Sequence, residues 1–454
     1  MSKETKAKSI IEPRVLKGFR DFLPSMEIPK KAITNNLEKH FRSYGFVPID
    51  TPILEYTEVL LGKGGGETDK QIFHFKDNGE RDVALRFDLT VPFARFLAQH
   101  QSELSLPFKR FHIDKVWRGE NPQKGRYREF TQCDFDIVGV DNAEADFEIL
   151  SMMDSSFSVM GVQNYQFCIA HRGLFNTFLA HLGLLEMSVE ILRTVDKLRK
   201  IGKEEVQKLL HELTGEGEKA NAILQYISKE DEKEPFLTTL DRLTALAGGE
   251  NPHSERMRTI YSYLHEAGIE EHFTFDPSIT RGLDYYTGIV YETFLTELPH
   301  FGSVCSGGRY NDLAGLYTKE ELPGVGSSIG LDRLLAALEE LGSPIVSSAS
   351  SADVAIFNTD VKHFSHYDRI ARVMRKDGLR VAIYLLNKKI GVQYKWAETN
   401  AIPFAVLLSE DDVLSSTLTV KNLRTREVHN ALSIEAAIAL IRKSTRRLTT
   451  LGGR

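Results

Sequence analysis

The sequence predicts an α+β protein that carries a helical insertion and ends in a separate α/β domain. Three observations lead there. Between Phe108 and Gly139 the chain reads strand, basic loop, strand. Its second strand alternates, with Phe130, Gln132, Asp134 and Asp136 on one face and Thr131, Cys133, Phe135 and Ile137 on the other. From about Leu185 to His272 the chain is rich in Lys, Glu and Leu and gives no strand signal. Beyond a small-residue stretch at Ser343–Ala352, apolar runs alternate with helical stretches, the pattern of an α/β unit.

A chain of 454 residues is long enough for two or three domains with large cores. Its 42% apolar and 26% charged content is ordinary for a globular protein. The three cysteines, Cys133, Cys168 and Cys305, are scattered, odd in number and without a CxxC pair, so neither a disulfide framework nor a Cys-based zinc site is indicated. The N-terminus lacks the apolar region of a secretory signal, and no run of about 18 apolar residues appears. A cytoplasmic protein is expected. The net charge of −6 is uneven, because residues 353–454 hold 17 Lys and Arg against 10 Asp and Glu. That module is positive by seven and the remainder negative by thirteen, which points to a polyanionic partner for the module.

Taken in order, Ile33, Leu37, Phe41 and Tyr44 recur at helical spacing and Gly45 follows as a C-cap. Phe46–Ile49 reads as a strand that stops near Pro52. Gly62–Asp69 is a glycine-rich loop, and Asp77-Asn78-Gly79 joins two strands as a hairpin. Asp88-Leu89-Thr90 ends the second of these, with Pro92 placed for the first turn of a helix. A carboxylate and a hydroxyl there suit a substrate ammonium, while Thr90 also suits a helix N-cap. Helices are expected at Asn142–Met160 and Leu174–Leu182, with a strand at Tyr165–Ala170 between them. Gly288–Leu295 is β-rich, and glycines through Gly302–Gly308 let backbone approach a ligand closely. Gly324–Gly330 reads as a strand feeding a helix that buries Leu331, Leu334, Leu335, Leu338 and Leu341. Arg333 lies off that stripe, at the helix N-terminus, where anions are favoured.

The polar strand face and the arginines beside it suggest chemistry. Arg118, Lys124, Arg126 and Arg128 sit between the two strands, with Pro122 and Gly125 for a turn. A guanidinium fork grips two phosphate oxygens at once, so the region suits a small polar molecule held beside polyphosphate. No Walker A motif appears, which disfavours a P-loop ATPase.

The segment VWRGENPQKGRYREFTQCDFDIVG at Val116–Gly139 resembles motif 2 of class II aminoacyl-tRNA synthetases, specifically of the histidyl-tRNA synthetase family. RGLDYYTGIVYETF at Arg281–Phe294 resembles that family's histidine-binding signature, and CSGGRYNDL follows at Cys305–Leu313. GVGSSIGLDRLL at Gly324–Leu335 is similar to motif 3, and the helix and strand before Pro52 resemble motif 1, the dimer element. LNKKIGVQYKWAETNAIPFAVLL at Leu386–Leu408 resembles the family's anticodon-binding domain.

The resemblance implies a class II catalytic domain with an antiparallel sheet over residues 1–342, a helical insertion at about 185–272, a linker at 343–352 and an α/β anticodon-binding domain at 353–454. It implies a histidine–tRNA ligase that uses ATP with Mg²⁺, binds L-histidine and tRNA(His), and works as a cytoplasmic homodimer away from membranes. Histidine's carboxylate attacks the α-phosphorus, and the tRNA 3′-hydroxyl then attacks the adenylate. A carboxylate needs no strong base, only alignment and positive charge where negative charge builds.

Residue by residue, the resemblance assigns Arg118 to the α-phosphate, Glu120 to the adenine amino group and Phe130 to stacking on adenine. Arg126 and Arg333 take the γ-phosphate. Arg281 contacts the α-phosphate and the histidine carboxylate, and with Arg118 forms the catalytic pair. Asp88, Thr90 and Gln132 take the ammonium group. Asp136 and Tyr286, with Tyr285 beside them, bracket the imidazole, which needs one partner per ring nitrogen. Gln123, Lys124 and Arg126 are candidate contacts to the tRNA acceptor end. No dedicated metal site is expected. Each residue has a plainer fate alone, such as a surface ion pair for Arg118 and Glu120, and their joint order along the chain favours the site. The rivals are a regulatory paralogue of the synthetase-like subunit of ATP phosphoribosyltransferase, a non-catalytic tRNA sensor, and another class II synthetase. The three arginines, the absence of kinase motifs and the RGLDYY sequence respectively argue against them.

Overall fold

A computed structural model of the chain describes residues 11–62, 71–229, 231, 234–279, 285–347 and 350–451. These divide into two compact units. The larger runs to Asp21 and again from Thr34 to Ala337, and the smaller takes Phe22–Ile33 and the chain from Leu338 onward.

The larger unit is built on a sheet of eight strands. Across it run Val47–Pro48, Phe108–Trp117, Glu129–Val138, Gly324–Gly330, Cys305–Arg309, Ile289–Leu295, Tyr165–His171 and Phe273–Phe275. The six inner strands are antiparallel, and each outermost strand pairs parallel to its neighbour. The alternation in the Glu129–Val138 strand has its expected result. Cys133, Phe135 and Ile137 are buried on one face, where Phe135 meets Phe41 of the helix Pro24–Ser43 with ring centroids 5.0 Å apart. The opposite face carries Phe130, Gln132, Asp134 and Asp136. In register across the sheet stand Arg110, opposite Asp136, and His112, opposite Asp134.

Tyr165–His171 and Phe273–Phe275 are parallel, so the chain between them must cross over. The helical stretch expected at 185–272 is that crossover, and includes Lys203–Thr214, Gly217–Ile227, Phe236–Leu246 and Pro252–Glu266. Asn251 starts the last of these with a capping box shared with Ser254. The hairpin at Asp77–Gly79 forms as expected, with His74–Lys76 against Asp82–Leu85 and Leu54–Tyr56 on the other side. The Asp77 carboxylate accepts from the backbone N–H groups of Gly79 and Arg81 and closes the turn.

The smaller unit has a five-stranded mixed sheet. Val381–Ile383, Val354–Ile356 and Phe404–Leu407 are parallel, and Leu418–Asn422 and Val428–Leu432 extend it antiparallel. Phe364–Lys376 and Ile434–Leu451 contribute Tyr367, Ile370, Met374, Ala437 and Ile441 to its core. Three details depart from expectation. The strand Val428–Leu432 and the short helix Glu410–Ser415 had no clear sequence signal. The Ser343–Ala352 linker includes a helical turn at Pro344–Ser347. Leu341 lies past the helix Leu331–Glu340 and is 39% exposed, because the helix ends before it can join the buried stripe.

Candidate active site

The polar face of the Glu129–Val138 strand is the floor of the site. Near one end of it lies Asp136, which is 2% exposed. Arg110, fully buried on the next strand, places Nη2 2.7 Å from Asp136 Oδ2. The Tyr310 hydroxyl donates to Asp136 Oδ1. Burial pushes the Asp136 carboxyl up, against the pull of Arg110 and Tyr310.

Two glycines make room for this arrangement. Gly308 and Gly326 are register partners on adjacent strands. A Cβ at Gly326 would meet Asp136 Oδ1 at 1.9 Å, and one at Gly308 would meet Tyr286 Cδ1 at 2.9 Å. The carboxylate and the phenol therefore lie over neighbouring backbone positions on one face of the sheet. Tyr286 packs edge-on to Tyr285, with ring centroids 4.8 Å apart, and Tyr285 packs on Tyr310 at 5.9 Å. Burial first, then the nearby charges of Asp136, Asp134 and Asp88, keep the Tyr286 phenol protonated.

Asp88 is buried in the connection between the strand Asp82–Leu85 and the helix Thr90–His100, and its Oδ1 accepts from the backbone N–H of Val91 at 3.0 Å. This settles the alternative at Thr90. Thr90 is the first residue of the helix Thr90–His100 rather than its cap, and Asp88 satisfies the helix N–H. The Thr90 hydroxyl hydrogen-bonds Tyr285 instead. Gln132 Nε2 donates to Ser328 Oγ at 2.7 Å, which turns its carbonyl the other way. Burial raises Asp88 to about 6 and Asp134 to about 7.

The second half of the site is cationic. The Arg118 guanidinium lies 5.2 Å from the centroid of the Phe130 ring, and its Nε donates to the Phe87 carbonyl at 2.9 Å. Arg126 pairs with Glu120. Burial alone would raise the Glu120 carboxyl, but the Arg126 hydrogen bond and the charges of Arg126, Arg118 and Arg333 together hold it below its ordinary value. One carboxylate thus feels three guanidinium groups, two from the basic loop and one from the Leu331–Glu340 helix. That helix is anchored through Asp332, whose carboxylate accepts from the Thr131 backbone N–H at 2.6 Å and from Arg20 at 3.1 Å. Arg333 next to it donates to the Ser303 carbonyl at 2.7 Å.

The tip of the basic loop is a tight turn. Gln123 and Arg126 exchange backbone hydrogen bonds of 3.0 and 2.9 Å around Lys124 and Gly125. Gly125 has φ +73°, a conformation that favours glycine. Gln123 and Lys124 are exposed there, with Lys124 Nζ 5.9 Å from the Phe301 ring.

Of the residues singled out in the sequence, Asp88, Thr90, Gln132, Asp136, Tyr285 and Tyr286 gather at one end of this face. Arg118, Glu120, Arg126, Phe130 and Arg333 gather at the other, and Gln123 and Lys124 stand on the loop tip. Arg281 lies outside the described residues, as do residues 63–69 of the glycine-rich loop. Sequence reasoning missed Arg110, Tyr310 and Ser328, and left Asp134 without a role. Arg110 was within reach, because it continues the polar alternation one strand earlier. Asp50, His112 and Asp114 are the one grouping of possible metal ligands among the described residues. The buried Arg86 guanidinium lies 2.6 Å from Asp114 and opposes a cation there.

Comparison with known proteins finds relatives over most of the chain. A family model described as "Histidyl-tRNA synthetase" matches residues 18–334, and one described as "Anticodon binding domain" matches residues 353–444. The chain is 54% identical over 405 residues to a protein of Treponema denticola named histidine–tRNA ligase, covering 88% of this chain and 90% of that one. It is 45% identical over 438 residues to a protein of the same name from Rhodopirellula baltica, covering 95% and 98%. The crystal structure of histidyl-tRNA synthetase from Nostoc sp. PCC 7120 superposes with a TM-score of 0.85 at 30% identity, covering 96% of this chain and all of that one.

Proposed function

The chain belongs to the histidyl-tRNA synthetase family and ligates histidine to tRNA at the expense of ATP, and from that premise we propose how its residues do so. Histidine lies over the Gly308–Gly326 floor with its ring between Asp136 and Tyr286. Its ammonium group faces Asp88, Thr90 and Gln132, with Tyr285 closing the side. ATP lies over Phe130 with its adenine amino group at Glu120. Arg118 takes the α-phosphate, and Arg126 and Arg333 take the γ-phosphate. For that, Arg126 must exchange Glu120 for phosphate, a swap of one anion for another.

The carboxylate of histidine then attacks the α-phosphorus, a new P–O bond forms, and the bond to the bridging oxygen breaks to release pyrophosphate. Arg118 and Arg281 stabilise the charge that builds on the phosphoryl oxygens. The 3′-hydroxyl of tRNA(His) next attacks the adenylate carbonyl, and AMP leaves. The exposed Gln123 and Lys124, with Arg126, face the acceptor end. The basic C-terminal module, residues 353–454 beyond a linker at 343–352, takes the anticodon.

Mg²⁺ accompanies ATP, bound by phosphate oxygens and water. The described residues do not fit a dedicated cage for it: Glu120 is engaged by Arg126, and Arg86 opposes a cation at Asp114. No helix among the described residues is long and apolar enough to cross a membrane, and we assign the protein to the cytoplasm, working as a homodimer through the motif 1 element.

The observation that supports this reading best is the pairing of Asp136 and Tyr286 over partnered glycines. A carboxylate and a phenol side by side match the two nitrogens of an imidazole and leave an apolar side chain unmatched. The test is ATP–pyrophosphate exchange with different amino acids. Exchange with L-histidine and none with proline, threonine or glycine is expected. Exchange with any of the latter three, or none with histidine, refutes the reading.

A further inference from the structure

Four buried oxygens at the histidine end of the site make no hydrogen bond among the described residues: Asp88 Oδ2, Gln132 Oε1, Asp134 Oδ1 and Asp136 Oδ2. Asp136 Oδ2 is ion-paired with Arg110, which leaves the other three. All three residues are under 8% exposed. Leaving such an acceptor unpaired in a protein interior is costly, and three on one wall call for a donor with several hydrogens. An α-ammonium group has three.

Asp134 belongs neither to the ring-bracketing pair nor to the phosphate ligands. It stands between Gln132 and Asp136 on the polar face, opposite Ser328 on one neighbouring strand and His112 on the other. Ser328 ties it to Gln132. The Ser328 oxygen accepts from Gln132 Nε2, so its own hydrogen is left for the Asp134 carboxylate, to which it is hydrogen-bonded. That short chain settles which way the Gln132 amide points, with its carbonyl toward the open side. It also holds Asp134 with Oδ1 unpaired. The charge balance agrees. Asp88, Asp134 and Asp136 all feel the buried Arg110 guanidinium, and Asp88 feels Arg118 as well, so three carboxylates face two guanidinium groups and a cationic group between them relieves the excess of negative charge.

We propose that Asp134 is the third acceptor of the substrate's α-ammonium group, with Asp88 and Gln132, and that Ser328 positions both Gln132 and Asp134 for it. This rests on the histidine-ligating reading and adds a residue to it. The role is specific to the amine. Asp134 has no part in gripping the ring, which belongs to Asp136 and Tyr286.

The test compares L-histidine with imidazolepropionic acid, which keeps the ring and carboxylate and lacks the amine. Binding of each to the full chain is measured by calorimetry for the wild type, Asp134→Asn and Ser328→Ala. Asp134→Asn is expected to weaken histidine about 10- to 100-fold, the range for a hydrogen bond to a charged group, and to leave imidazolepropionic acid within about twofold. Ser328→Ala, which keeps the strand intact, shows the same selectivity with a smaller loss. Equal weakening of both compounds, or no weakening of histidine in either variant, overturns the proposal. If the wild type binds histidine no better than imidazolepropionic acid and supports no histidine-dependent exchange, the underlying reading fails instead.

Discussion

Arg110 and Asp136 form a buried ion pair, Nη2 to Oδ2 at 2.7 Å, on register-paired positions of adjacent strands. Arg110 also lies 4.2 Å from the Phe93 ring centroid, which holds its plane in place. The pair fixes one end of the proposed imidazole site, so both stability and affinity depend on it. Arg110→Met leaves the Asp136 charge buried without its partner, a loss of about 3–5 kcal/mol by analogy with other broken buried pairs. Chemical denaturation reads that loss. Arg110→Met combined with Asp136→Asn is expected to recover most of the stability and none of the histidine binding. A double variant as unstable as the single one contradicts this account.

Gly326 is the second control on the same carboxylate. An alanine methyl there meets Asp136 Oδ1 at 1.9 Å and the Phe135 carbonyl oxygen at 2.8 Å, so Asp136 must move away from Tyr310 and Arg110. Gly326→Ala is therefore expected to raise the KM for histidine at least about tenfold, one hydrogen bond's worth of affinity. The KM for ATP should hardly change, because Phe130, with the Arg118 guanidinium near its ring, lies at the other end of the strand. A rise in both constants by the same factor would mean that the sheet, not the pocket, had been disturbed.

Much of the fold was legible because its signals are local. Period-two alternation at Phe130–Ile137 announced a strand with one polar face, and the turn chemistry of Asp77–Gly79 announced a hairpin. The five-stranded sheet was less legible at Val428–Leu432, whose side chains are half-buried or exposed and give no alternation. The site was legible as types of residue at spacings along the chain, and the grouping of Asp88, Gln132, Asp136 and Tyr286 could be expected from those. The Asp136–Tyr310 bond and the Gln132–Ser328–Asp134 chain could not. They depend on strand register, which sets Ser328 opposite Asp134 and Gly326 opposite Asp136 across 190 residues of sequence. The cap role open at Thr90 was excluded by geometry, since the carboxylate two residues earlier already serves the helix N-terminus.

The basic loop yields a prediction about ATP. Arg126 is engaged with Glu120, and both are assigned to the nucleotide. Arg126→Ala removes a γ-phosphate ligand and frees Glu120. We expect the KM for ATP to rise about tenfold, the loss of one charge-assisted bond, with the KM for histidine unchanged. Arg281→Ala differs in kind. Its assigned role is in the transition state, so kcat for pyrophosphate exchange should fall by about 10²-fold or more with little change in either KM. Near-normal exchange in Arg281→Ala removes that residue from the catalytic pair.

The last prediction concerns pH, and its sign follows from Asp134. Burial lifts this carboxyl from an ordinary 3.8 to about 7, helped by Asp136 and Asp88 and opposed by Arg110 and Ser328. Between about 4 and 7 the folded chain therefore keeps a proton that the unfolded chain has released. Its contribution to stability grows as pH falls through that window, and above 7 the full cost of a buried charge is felt. Asp134→Asn removes the titration. At pH 8 the ligand-free variant should melt about 2–4 °C above the wild type, the shift expected for roughly 1 kcal/mol in a domain of this class. At pH 5, where the folded Asp134 is already neutral but the unfolded carboxyl is still ionised, the gap should be clearly smaller, and it closes only below about pH 4. The proposed ammonium site has the opposite requirement, because a protonated carboxyl is a poorer acceptor for a cation. Histidine affinity in the wild type should decline as pH falls from 8 to 6, and Asp134→Asn should flatten part of that decline. Asp88, raised to about 6, supplies the remainder along with the substrate's own ring. A residue that stabilises the empty protein when neutralised, and weakens the substrate when neutralised, is one kept for binding at the expense of stability. Equal melting shifts at pH 5 and pH 8 would show that Asp134 carries no buried charge in the empty site, and the pH argument would fall with it.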